Sequence, residues 1–119
     1  MRDRGTVTAE IAVALPALVL ITAAALWGVT VASVQLTCTD AARAGARAAA
    51  RGESLTAVRA LVEEAVPDGA TVQVRRDEAT VHVDVSAPVR PAAAIGLPPM
   101  IVRAHIAAPT EPGAPTDAP

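Results

Sequence analysis

The sequence predicts an α+β chain: a long N-terminal membrane-spanning helix, then a short amphipathic helix and a small three-stranded antiparallel sheet. Three observations carry this expectation. Residues 11–34 hold no charged side chain, residues 55–66 repeat their apolar side chains at helical spacing, and residues 72–86 and 100–106 alternate with period two.

The uncharged run from Ile11 to Val34 is 24 residues long. As a helix it extends about 36 Å, against a hydrocarbon core of about 30 Å. Pro16 lies inside it, a position that membrane helices tolerate when neighbouring groups satisfy the freed carbonyl. Trp27 falls just past the middle, too deep for an interfacial anchor and better placed to pack against another helix. No turn signal follows Val34, and residues 35–51 are rich in Ala and Arg, both strong helix formers. One helix is therefore expected from about residue 7 to about Arg51. On its second half, Ser33, Thr37, Ala41, Gly45 and Ala49 form a small-residue ladder at i+4 spacing. Arg43, Arg47 and Arg51 form a second row, about 200° around the helix. The ladder lets another backbone approach closely, or else it is an accident of an Ala-rich sequence. The arginine row stays solvated or meets acids.

Gly52 interrupts the helix, and Ser54 is a suitable N-cap for the next. Leu55, Val58, Leu61, Val62, Ala65 and Val66 form its apolar stripe, and Arg59 can pair with Glu63 on the wet side. Pro67-Asp68-Gly69 stops it with turn chemistry. Val72 and Val74, then Ala79, Val81, Val83 and Val85, alternate with polar residues around Arg75-Arg76-Asp77-Glu78, which reads as a hairpin. Pro88, Pro91, Pro98 and Pro99 mark an irregular link with a short turn at Ala92 to Ile95. A third strand follows, with Met100, Val102, Ala104 and Ile106 facing inward. The Pro-rich ending is expected to be disordered. The chain thus divides into residues 1–5, a short stretch with two arginines ahead of the helix; 6–52, the spanning and extended helix; 53–108, a small α+β domain; and 109–119, a tail. The small domain is near the lower limit for a lone core, so the long helix or another subunit is expected to complete it.

Composition narrows the function. Net charge is −2, and one Trp with no Phe or Tyr leaves neither the basic surface nor the stacking platforms of nucleic-acid binders. The absence of Lys and Asn beside abundant Ala, Val and Arg points to a high-GC bacterial genome. A single cysteine, Cys38, excludes an internal disulfide and a multi-cysteine zinc site. Val34-Gln35-Leu36-Thr37 before it lacks the small residue of a lipoprotein signal, which leaves a helix-packing cysteine or a thiol that pairs between subunits. His82 and His105 fall on the outward face of neighbouring strands; two solvated histidines are a commoner occurrence there than a two-His metal site. No Ser/His/Asp order and no phosphate loop accompany them. The expectation is a protein that is no enzyme, with no cofactor, no metal and no small-molecule substrate.

Glu10 is the anomaly, a carboxylate set directly against the apolar run, where an acid is costly without a partner. Upstream of it, Arg2 and Arg4 lie in a five-residue stretch ending in Gly5, and Glu10 is the fifth residue after that glycine. This pattern resembles the type IV prepilin signature. Together with the Ala-Arg-Ala-Gly-Ala-Arg-Ala segment of residues 42–48 and the small strand-rich domain, it resembles the TadE-like minor pilins, or pseudopilins, of tight-adherence (Flp) pilus systems. Two departures from the type IV pattern are Thr6, where Phe or Met is usual, and the early Pro16.

The resemblance implies cleavage between Gly5 and Thr6 by a prepilin peptidase, a cytoplasmic N-terminus, and an outer domain that reaches the pilus with other pilin subunits and the assembly machinery. It also implies a partner for Glu10. The new α-amine on Thr6, with a reference pKa of about 8, meets the Glu of a neighbouring subunit, and each charge lowers the other's desolvation penalty. Two further readings stay open: a single-pass protein whose outer domain binds another envelope component, and a secreted protein cut near Ala32. Charge counting does not choose a topology, because Arg2 and Arg4 lie on one side and Arg43, Arg47 and Arg51 on the other.

Overall fold

A computed structural model of the chain describes residues 2–92, 96–110 and 112–113. Its elements are α1 (Arg2–Ala50), α2 (Leu55–Ala65), β1 (Thr71–Arg76), β2 (Thr80–Val89) and β3 (Met100–Pro109). They fall into two compact units, residues 1–30 and 31–119.

The first unit is the N-terminal part of α1, a helix long and apolar enough to cross a membrane once. Its large side chains face outward, among them Val13, Leu18, Val19, Leu20, Ile21, Leu26 and Val29. The threonines hide their hydroxyls on the helix itself: Thr8 Oγ1 donates to the Arg4 carbonyl at 2.9 Å and Thr30 Oγ1 to the Leu26 carbonyl at 2.9 Å. Such back-bonding satisfies a polar group without water.

The second unit contains the core. Residues 31–50 of α1, together with α2, cover one face of a sheet with strand order β1-β2-β3. Both strand pairs are antiparallel, with Val74 opposite Val83 and Val85 opposite Ala104. Val72, Val81, Val83, Val85, Ala87 and Ala104 bury their side chains against Val58 and Val62 of α2 and the small residues of α1. The α+β architecture expected from the sequence is thus the one observed. Helix α1 ends in a Schellman arrangement: Gly52 adopts φ 91°, its N–H donates to the Ala49 carbonyl at 3.1 Å, and the Glu53 N–H donates to Ala48 at 3.3 Å. Ser54 then caps α2, accepting from the Ala57 N–H at 3.2 Å.

Details differ from the sequence reading: α1 begins at Arg2 rather than near residue 7, and Leu61 of the α2 stripe is exposed. Ala79 is exposed in the hairpin turn, closed by Asp77 and Thr80, whose N–H groups reach each other's carbonyl at 2.8 and 3.4 Å. Pro88 belongs to β2 rather than to the link. It lies past the last β1 pair, Thr71 with Ser86, so β2 there has a neighbour on one side only, where a strand tolerates proline. Met100 is exposed rather than inward-facing. Strand β3 continues to Pro109, and the Thr110 N–H donates to the Ala79 carbonyl at 2.9 Å, so the first residues assigned to the tail close the sheet. Residues 93–95 of the expected short turn, and 111 and 114–119 of the expected disordered tail, lie outside the described residues.

Candidate functional site

Gly5, Thr6 and Glu10 lie in α1, and all three are exposed. Nothing approaches within 4 Å of the place where a Gly5 side chain would begin. Thr6 and Glu10 are four residues apart, so they share one helix face. Ala9, Val13, Ala14 and Ala17 complete a shallow apolar surface around them. Within this face Glu10 is the acid, at the boundary between the polar N-terminal residues and the apolar run.

The small-residue ladder divides. Ser33 and Thr37 are exposed, whereas Ala41, Gly45 and Ala49 are buried in the chain's own core. A Cβ placed on Gly45 would collide with Cγ2 of Val62, and would also meet Val58 Cγ1 at 3.5 Å and Val83 Cγ1 at 3.7 Å. Glycine there is a requirement of close approach, and what approaches is α2 and β2 of the same chain. A second i+4 row, Val34, Cys38, Ala42 and Ala46, flanks the ladder and packs in the same core. The sequence reading missed this row, although its spacing was the same signal. Cys38 is fully buried, and burial pushes its thiol pKa up, which holds it in the neutral, unreactive form. A bridge from Cys38 to another subunit would require this core to open. The arginine row is solvent-exposed, with Arg43 3.7 Å from Asp40 and Arg51 2.9 Å from Glu53.

The sequence reading places Arg76 only in a polar turn. Its guanidinium reaches back from the end of β1, and Nη2 donates to the carbonyls of Ala49 and Glu53, each at 3.1 Å. A cation at the negative end of α1 is favoured by the helix dipole as well as by the bonds.

His82 and His105 do meet on the outward face, their rings stacked at 5.7 Å and 23°. Each leans on its own carboxylate: His105 Nδ1 lies 2.6 Å from Asp84 Oδ1 and His82 Nε2 lies 3.2 Å from Asp77 Oδ2. Arg75 approaches the other Asp84 oxygen at 3.4 Å. The hydrogen bond with His105, aided by the charges of His105 and Arg75 and opposed by burial, holds the Asp84 carboxyl below its usual range. Among the described residues, no group of three or more His, Cys, Asp or Glu could hold a metal ion.

Residues 5–47 match the family model described as TadE-like protein. The chain is similar to the protein named Apoptosis inhibitor Rv3655c of Mycobacterium tuberculosis, with 44% identity over 78 residues, 66% of this chain and 62% of that protein. The chain therefore spans less than two thirds of that relative's length. No solved structure matches it.

Proposed function

We propose that this chain, which belongs to the TadE-like family through residues 5–47, is a non-enzymatic minor pilin or pseudopilin of a tight-adherence (Flp-type) pilus. In this reading a prepilin peptidase cuts between Gly5 and Thr6, the N-terminus is cytoplasmic, and the outer domain enters or helps to assemble the pilus beside other pilin subunits. The observation that carries the reading is Glu10, exposed at the head of an apolar helix and fifth after Gly5. Cutting the helix requires local unwinding, and Gly5 eases it because glycine costs a helix about 1 kcal/mol relative to alanine. After the cut, the Thr6 amine and the Glu10 carboxylate of adjacent subunits neutralise each other in an apolar setting.

The test combines intact mass with incorporation. In cells carrying the peptidase, the membrane-extracted protein should begin at Thr6. Glu10→Leu should leave insertion and cleavage unchanged, because it removes a charge from the edge of the apolar run. It should abolish entry into sheared or cross-linked pilus material, because removing one partner of a buried pair costs about 3–5 kcal/mol. A Leu variant that assembles like the parent would reduce Glu10 to an acid favoured by the helix dipole. The mycobacterial relative's name supports a second reading, an apoptosis inhibitor. A chain that acts in that way, and is never found in pilus material, would favour it over the pilin reading.

A further inference from the structure

The face of the sheet that turns away from its helices carries a groove of about 400 Å³, within the range of ligand pockets, about 300–1,000 Å³. Val85 and Ala104 send their side chains into the core on the other face, so they give the groove a backbone floor. Every other residue of the lining is polar. These side chains stand in register across the three strands. Thr71 pairs with Ser86 and Ser86 with Arg103; two residues along, Gln73 pairs with Asp84 and Asp84 with His105.

The charges in these two rows are satisfied unequally. Asp84 holds His105 at 2.6 Å with one oxygen and Arg75 at 3.4 Å with the other, so it is compensated from both neighbouring strands. Arg103 lies diagonally across from Asp84, yet among the described residues it joins no ion pair. The groove therefore has two arginines against one carboxylate, a local positive excess on a chain whose net charge is −2. Beside Arg103, the hydroxyls of Ser86 and Thr71 and the amide of Gln73 add uncharged donors and acceptors.

We propose that this groove binds a small hydroxylated carboxylate, a sugar acid of the uronate class. The ligand's carboxylate meets the Arg103 guanidinium, whose parallel N–H groups match two oxygens. Its hydroxyls meet Ser86, Thr71 and Gln73. A bare carboxylate would occupy only a corner of the groove, and a neutral sugar would leave Arg103 without a counter-charge. A polar floor and polar walls offer nothing to an apolar acid. The inference concerns the second unit alone and holds whether or not the chain enters a pilus.

Full-length protein in nonionic detergent, isotope-labelled for NMR, provides the test, with glucuronate, glucose and acetate as probes at constant ionic strength. Glucuronate should shift the amide signals of Ser86, Arg103 and His105 saturably, glucose should not, and acetate should bind more weakly. Arg103→Gln should weaken glucuronate binding about tenfold or more, because it removes a charged donor. Arg103→Lys should recover part of that loss. Arg103 is exposed, so neither change disturbs the core. Arg90→Gln, at an exposed arginine outside the groove, should bind like the parent. Glucuronate shifts that never saturate overturn the inference, as does an Arg103→Gln variant that binds like the parent. Glucose that acts as strongly as glucuronate overturns the role of the charge. Acetate that binds as tightly as glucuronate overturns the sugar-acid class, because the hydroxylated part would then make no contact.

Discussion

Between Ile11 and Thr30, half of the side chains of α1 are large and apolar, and all in this stretch but that of Trp27 are exposed. Between Val31 and Ala50 it carries mainly small ones, and Cys38, Ala41, Ala42, Ala46, Ala48 and Ala49 are buried. The backbone geometry is the same in both stretches. What changes is the neighbour that each can accept. Bulky side chains fill space by themselves and suit fluid lipid tails, which conform to any surface. Small ones leave grooves that only a fixed, complementary surface can fill, and here the valines of α2 and β2 fill them.

The strongest way to break the comparison is to give the second stretch the side chains of the first. Gly45→Leu forces a branched side chain onto Val62, Val58 and Val83. It should cost more than the usual ~1–3 kcal/mol of overpacking and unfold the second unit, seen as rapid proteolysis of residues 31–119. Membrane extraction should be unchanged, and Leu20→Ala in the first stretch should have no effect on protease resistance. If Gly45→Leu leaves the domain intact, the ladder is not held by its own chain.

Arg76→Ala is the next test, because it removes the cation that ties β1 to the end of α1. Hydrogen bonds to charged groups contribute about 1.5–3 kcal/mol, and a loss of this order should appear as a lower urea midpoint. Arg76→Lys should recover only part of it, since one ammonium does not present the planar fork that reaches both carbonyls.

Acid provides the smallest effect. Asp84 has its pKa lowered in the folded state, so its contribution is present above the unfolded value of about 3.9 and is lost as pH falls through the lower folded value. The side chain is 36% exposed, and solvent screening reduces the contribution to a few tenths of a kcal/mol. Asp84→Asn should therefore lower the urea midpoint slightly at pH 7, and the gap should narrow below about pH 4. A gap that widens in acid would assign the effect to another group.

Elements whose causes lie within a few residues were legible in advance. Ser54 followed by an apolar stripe specified α2 because a cap and its helix are neighbours in the chain, and alternating valines specified the hairpin because β-strand side chains alternate wherever the strand lies. The glycine of residue 52 marked the end of α1 for the same local reason. Gly5, Thr6 and Glu10 are also legible in the sequence alone, and the fold places them on an exposed stretch of α1.

The remaining features depended on residues far apart in sequence. Small side chains at 41, 45 and 49 announce that something packs closely, but they do not say whether it is a second subunit or the same chain folding back. Only the return of α2 and β2 onto α1 supplied Val62 and Val83 as the occupants. Pro88 could join a strand only because β1 had already ended beside it, and Arg76 found the end of α1 across 27 residues of chain. Volume and periodicity are properties of the sequence, and they determined which surfaces need a partner. The identity of each partner is a property of three-dimensional closure, and the tertiary structure decided it.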